Sequence, residues 1–233
     1  MDKSTLAKLI LTPEQRHAFF EGANNAVEDY EKFRNLYSDS ATDKSFSSFF
    51  YDRLNTRVKQ AINKKPHMMI SVESKRAWFH PYHIYRDIRR NILILLLPLS
   101  SKKYIFDPSR YRKDISIGNI LRIEQEGLDK ALFKGKTISH QGMIPLGSIE
   151  PFGLVVTFDI KAKTMNEGAL LPNQKDWIFK LENTQKYLEG LTFDNVIPLN
   201  TDSESISGHR IKEEAFKDDE VDIPLKLKDD PTS

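Results

Sequence analysis

Residues 92–97 read ILILLL and are followed directly by Pro98. Every position in this run is apolar, which is typical of a strand that is covered on both faces. The run is also far too short for a membrane-spanning helix, which needs about 20 apolar residues. We therefore predict a central strand of a buried sheet at this position.

Two amphipathic helices are predicted before this strand. The sequence Thr12-Pro13-Glu14-Gln15 matches a capping box with proline at the first helical position, and predicts a helix over residues 13–37. A second helix follows the polar residues 38–43, and its apolar stripe is formed by Phe46, Phe50, Leu54, Val58 and Ile62. Such a helical hairpin must bury both stripes, and the sheet is the expected partner.

The remaining elements are predicted from shorter patterns. Residues 67–72 are expected to pair with residues 92–97, and residues 154–161 alternate as in a half-buried strand. Further helices are expected at residues 82–90, at residues 118–132, and after Asn173, where Trp177, Leu181 and Leu188 have helical spacing. The predicted fold class is α+β, with an N-terminal helical hairpin packed on a mixed β-sheet.

Composition sets the domain organisation. The 233 residues are 39% hydrophobic, enough for one domain core, which we place at residues 1–199. Residues 213–233 carry eight acidic and three basic side chains, so residues 200–233 are expected to form a flexible acidic tail. Residues 1–212 then carry 32 basic against 25 acidic side chains.

The chain contains no cysteine, which excludes disulfides, thiolate metal sites and a cysteine nucleophile. The N-terminus shows no secretory signal pattern and no segment suits a membrane, so we expect a cytoplasmic protein. Walker A, GxGxxG, HExxH and GxSxG motifs are absent, and no cofactor is expected.

The segment 75–113 is the most distinctive for function. It contains ten basic residues against only Asp87 and Asp107, and aromatic residues are interleaved with them. Cations bind phosphates and aromatic rings stack on bases, so this pattern favours a nucleic acid or a nucleotide as the partner. The predicted function is a nucleic-acid-binding or regulatory protein without catalysis. The candidate binding residues are Lys75, Arg76, Trp78, Tyr82, Tyr85, Arg86, Arg89, Arg90, Lys102, Lys103, Arg110 and Arg112.

A metal-dependent nuclease is the alternative. Glu150 precedes a predicted strand that ends in Asp159-Ile160-Lys161, where Asp159 and Lys161 share one face. This set resembles the catalytic half-motif of the PD-(D/E)xK nucleases, although Glu150-Pro151 reverses the Pro-Asp order of that family. The resemblance implies a divalent cation bound by Glu150 and Asp159, with Lys161 orienting the attacking water.

Other interpretations stay open. Alternation alone predicts polar residues at positions 159, 161 and 163 of a half-buried strand, and a basic stripe is often only a solvated surface. His80, His83 and Asp87 lie close in sequence, but Pro81 argues against one helical face that could bind a metal. A protein-interaction module that uses the aromatic-rich surface is a third possibility.

Overall fold

The computed structural model describes residues 3–39, 44–77, 80–98, 103–107, 109–127, 149–187 and 196–197. The predicted tail and the proposed boundary at residue 200 lie outside these ranges. No helix in the described part combines the length and the apolarity that a membrane crossing requires.

The described residues form an α+β fold in which a helical pair packs on a mixed sheet, as predicted. The helices are α1 (Lys3–Leu9), α2 (Pro13–Leu36), α3 (Lys44–Asn63), α4 (Arg110–Ser116) and α5 (Asn119–Gln125). The strands are β1 (Ile70–Ala77), β2 (His80–Asp87), β3 (Ile92–Pro98), β4 (Phe152–Asp159), β5 (Thr164–Leu170), β6 (Trp177–Leu181) and β7 (Val196–Ile197). They lie in sequence order across one sheet, and only β3 and β4 are parallel neighbours.

The start of α2 confirms the predicted capping box. The Gln15 amide donates to Thr12 Oγ1 at 3.2 Å, and the Thr12 amide donates to Gln15 Oε1 at 3.1 Å. Farther along the helix, Gly22 lies so close to α3 that a Cβ at this position would be 2.5 Å from Val58 Cα. The absent side chain therefore allows the two helices of the hairpin to approach closely.

The sheet is covered on both faces. On one face, α2 and α3 pack over β2 to β4, and the rings of Phe19 and Tyr85 meet at 5.2 Å. On the opposite face, Ile115 of α4 packs in a second cluster with Ile84 and Val155. β4 is thus buried on both faces, and the expectation of a half-buried strand is wrong because this strand lies in the centre of the sheet.

Two predicted helices are strands. Residues 82–90 were expected to be helical, but β2 ends at Asp87 and a turn follows. Its residues alternate, with Ile84 in the cluster beside α4 and Tyr85 in the core beneath α2. The helix expected after Asn173 is also wrong, because residues 177–181 form β6, which pairs with β5. In both segments polar and aromatic residues are mixed, so the apolar–polar alternation that is typical of a strand was not recognised from the sequence.

Two other boundaries differ from the prediction. The strand expected at residues 67–72 begins only at Ile70, because Pro66–Met68 is a short 3-10 helix and Met69 has φ 51°. This strand does not pair with β3, since β2 lies between them. The helix expected at residues 118–132 is present as α5 and ends before Gly127, whose φ is 74°.

A fully buried ion pair fixes the N-terminal helices on the sheet. Arg16 Nε lies 2.6 Å from Glu167 Oε1, and the two side chains are 1% and 0% exposed. Glu167 Oε2 accepts from the Leu11 amide at 2.9 Å, while Arg16 Nη2 donates to the Leu11 carbonyl at 3.0 Å. The turn between α1 and α2 is therefore bonded directly to β5.

Candidate nucleic-acid interface

Among the candidate binding residues, Tyr85, Arg90 and Arg112 are buried or half-buried. Tyr85 is fully buried, and its hydroxyl donates to the Asn55 carbonyl at 3.1 Å. Arg90 is half-buried, and Arg112 is only 8% exposed. Burial removes Tyr85 from any external ligand, so this residue does not belong to the surface on which it was placed.

Arg90 joins the turn after β2 to the N-terminal segment. Its Nε donates to Asp87 Oδ2 at 2.8 Å, and its Nη1 donates to the Ile10 carbonyl at 2.6 Å. Burial opposes ionisation of Asp87, but hydrogen bonds from Gln15 and Arg90 hold the pKa of its carboxyl below the ordinary value. The Arg90 charge is therefore paired internally and is not available to phosphate.

Other candidates lie on different parts of the surface. Arg76 and Arg86 are exposed, but they point to opposite faces of the sheet because they occupy positions of opposite parity in the β1–β2 register. Arg86 donates to Asn91 Oδ1 at 2.8 Å, and the exposed Arg89 lies 3.0 Å from Met69 Sδ. Trp78, Lys102 and the side chain of Lys103 lie outside the described part.

One group of side chains does converge, on the face that carries α4. Tyr82 of β2 and Tyr111 of α4 have ring centroids 5.3 Å apart, and both rings are half-buried. The exposed Lys75 is the direct cross-strand partner of Tyr82, and the exposed Arg110 directly precedes Tyr111 in the sequence of α4. We call Lys75, Tyr82, Arg110, Tyr111 and Arg112 the tyrosine–cation surface.

Arg112 contributes positive charge from beneath this surface. Its guanidinium carbon lies 5.3 Å from the Tyr111 ring centroid, and Nη2 donates to the Asp107 carbonyl at 2.5 Å. Its Nε has no hydrogen-bond partner, and among the described residues no carboxylate lies within ion-pair distance of Arg112. A buried positive charge with no carboxylate beside it in the described part of the chain attracts an anion to the adjoining surface.

The expected nuclease residues are not brought together. Glu150 precedes β4 and Asp159 ends it, and the seven steps along the strand between residues 152 and 159 span about 23 Å. Asp159 Oδ1 instead accepts from the Lys161 and Ala162 amides, at 2.9 and 3.0 Å, which closes the turn to β5. This arrangement leaves the resemblance to the nuclease half-motif without a common cation site for Glu150 and Asp159.

The side chain of His80 lies outside the described part, so only His83 and Asp87 of the histidine pattern are described. Within the ranges that the structure describes, no group of three or more His, Asp or Glu side chains is placed to hold a metal ion. His83 Nδ1 lies 3.0 Å from Ser74 Oγ, its direct neighbour on β1. Burial and, to a smaller extent, the nearby Lys59 lower the pKa of His83, which favours the neutral imidazole.

Sequence reasoning left Tyr111 out of the binding set. The sequence could have indicated Tyr111, since this aromatic residue lies among basic residues in the run Arg110-Tyr111-Arg112-Lys113. Its proximity to Tyr82 could not be deduced, because it depends on α4 crossing the face of β2 after the chain has passed through β3.

Comparison of this chain with protein-family models, with curated proteins and with solved structures gave no match.

Proposed function

We propose that this protein binds single-stranded nucleic acid, without cleaving it, through the tyrosine–cation surface. The observation that carries the proposal is the position of Arg112, a buried cation without a described acidic partner, against the half-buried ring of Tyr111. A phosphate is the anion that such a cation attracts, and an aromatic ring beside it offers a stacking platform for a base.

The surrounding residues extend this arrangement. Tyr82 lies beside Tyr111 and provides a second ring, while Lys75 is an exposed cation opposite Tyr82 and Arg110 is an exposed cation that precedes Tyr111 in α4. Stacking requires unpaired bases with accessible faces, so the pair of rings favours a single strand over a duplex. A cytoplasmic location agrees with such a partner and stays a prediction from the sequence.

The test measures fluorescence anisotropy of a labelled single-stranded oligonucleotide. We expect Lys75→Ala combined with Arg110→Ala to weaken binding and to lower the slope of log Kd against log salt by about 1.4, at roughly 0.7 for each lost phosphate contact. Tyr111→Ala should weaken binding with little change in that slope, since stacking is not ionic.

A matched control distinguishes this site from general charge. Lys32→Ala combined with Lys64→Ala also removes two exposed cations, one from α2 and one from the residue that follows α3, and both helices pack on the other face of the sheet. We expect these variants to bind almost as the unmodified protein does. Equal losses from both double variants, or no binding at low salt, would exclude the proposed surface.

A further inference from the structure

The outer edge of β1 is a second prominent surface, and it shares only Lys75 with the surface of the proposed function. β1 is eight residues long and forms one end of the sheet, with β2 as its only described neighbour. Its residues 73–76 are all exposed. An edge strand presents unpaired amide and carbonyl groups, which another strand can pair with.

The register identifies which groups point outwards. The Ile88 amide donates to the Met69 carbonyl at 3.1 Å, so Met69 and Ile88 form a hydrogen-bonded pair at the start of the ladder. Hydrogen-bonded and non-hydrogen-bonded pairs alternate in antiparallel ladders. Residues 71, 73, 75 and 77 therefore bond to β2, and the backbone groups of residues 70, 72, 74 and 76 face outwards.

The charges on β1 make this edge complementary to itself. Glu73 and Lys75 lie on one face of the strand, on either side of Ser74, with 3.6 Å between Lys75 Nζ and Glu73 Oε2. If two copies of β1 pair antiparallel about a two-fold axis at Ser74, Glu73 of each copy lies opposite Lys75 of the other. Ser74 then forms a hydrogen-bonded pair with its own copy, as its outward backbone groups require.

Neighbouring registers lack this complementarity. Moving the two-fold axis to residue 73 places Glu73 opposite its own copy, and moving it to residue 75 places Lys75 opposite its own copy. Like charges directly opposite each other are destabilising, whereas opposite charges contribute favourably. The hydrogen-bond parity admits all three registers, because each pairs even-numbered residues with even-numbered residues, and the charge pattern selects the register centred on Ser74.

We infer that the protein forms a two-fold symmetric dimer in which two β1 strands pair antiparallel about Ser74, joining both sheets into one. The partner is a second copy of this chain. A single strand pair buries less area than a standard interface of roughly 1,600 Å², so the dimer dissociates in the micromolar range or above. The inference does not depend on nucleic-acid binding, although the symmetry places both tyrosine–cation surfaces on the same face.

Sedimentation velocity from about 5 to 500 µM tests the dimer in this concentration range. In the proposed register, residue 73 of each copy lies opposite residue 75 of the other, so the dimer contains two such pairs. Glu73→Lys puts a lysine opposite a lysine in both pairs, and Lys75→Glu puts a glutamate opposite a glutamate in both pairs. We expect each single variant to raise the dimer dissociation constant by about tenfold or more. The double variant Glu73→Lys, Lys75→Glu restores opposite charges, and we expect its dissociation constant to return close to the original value.

Cross-linking provides a second measurement that does not rely on charge. Because the chain has no cysteine, Ser74→Cys introduces a single thiol, which lies at the two-fold axis. The Cα atoms of a hydrogen-bonded pair are about 5.5 Å apart, and a disulfide can form at that distance. Ser47→Cys, on an exposed position of α3, is the control and should oxidise to dimer at least about tenfold more slowly. A protein that stays monomeric, a double variant as weak as the single ones, or equal cross-linking of the two thiols would overturn the inference.

Discussion

Replacement of Glu167 by Gln tests the buried ion pair that fixes α2 on the sheet. Both carboxylate oxygens of Glu167 accept from donors, namely Arg16 Nε at 2.6 Å and the Leu11 amide at 2.9 Å. Glutamine has the same shape but only one acceptor oxygen, so its NH2 group must face one of these donors. The substitution also removes the negative charge next to a guanidinium that is 1% exposed.

The expected loss follows from these two effects. Removing one partner of a buried ion pair costs about 3–5 kcal/mol, which includes the donor left without an acceptor. Arg16 keeps its bond to the Leu11 carbonyl, which favours the lower end of this range. For a chain of this size each kcal/mol lowers Tm by about 2–4 °C, so we expect a decrease of about 6–20 °C.

Urea unfolding, followed by circular dichroism, measures the change in the free energy of unfolding at an unchanged m-value. Glu31→Gln is a matched control, since Glu31 pairs with Lys163 at 3.7 Å while both side chains are more than half exposed. We expect the control to cost less than about 0.5 kcal/mol. If Glu167→Gln costs less than about 1 kcal/mol, the ion pair does not anchor α2 in the way described.

Two further predictions concern the core. The pKa of Asp87 in the folded protein lies below its unfolded value near 3.8, so its ionised form stabilises the fold above that pH and this contribution is lost as pH falls through the folded pKa. We therefore expect Asp87→Asn to lower the free energy of unfolding at neutral pH, and to make that free energy fall less steeply as the pH is lowered. If the free energy of unfolding of the variant depends on acidic pH as that of the unmodified protein does, the prediction is wrong. Gly22→Ala places a Cβ against Val58, and we expect it to lower the free energy of unfolding, measured in urea, by about 1–3 kcal/mol. An unchanged or higher free energy of unfolding would show that the helices have room to separate.

The sequence was sufficient for elements whose periodicity is strong and local. α2 begins at its predicted cap, and the stripe Phe46, Phe50, Leu54, Val58 and Ile62 is buried throughout. β3 was recognised from its continuous apolar run, which suits a strand covered on both faces. β4 was recognised as a strand from its alternation, although the half-buried environment expected for it was wrong. These features depend on neighbours within a few residues along the chain.

The interface was less predictable because it depends on contacts between distant segments. Arg90 and Arg112 look alike in a basic segment, but one binds Asp87 and the N-terminal carbonyls while the other lies beneath Tyr111 without a described carboxylate. Glu150 and Asp159 are close in sequence, yet an extended strand separates them. Strand order and helix placement decide such cases, and a single sequence does not encode them in any local pattern.

Photo-cross-linking of bound oligonucleotide tests the central claim most directly. The protein is mixed with a single-stranded uracil-containing oligonucleotide at low salt and irradiated, and the modified peptides are identified by mass spectrometry. We predict that the cross-links map to Tyr82 or Tyr111, and that excess unlabelled single strand competes for them while duplex of the same length competes poorly. Cross-links confined to other parts of the chain, or their absence under conditions where the anisotropy assay shows binding, would contradict the proposed interface.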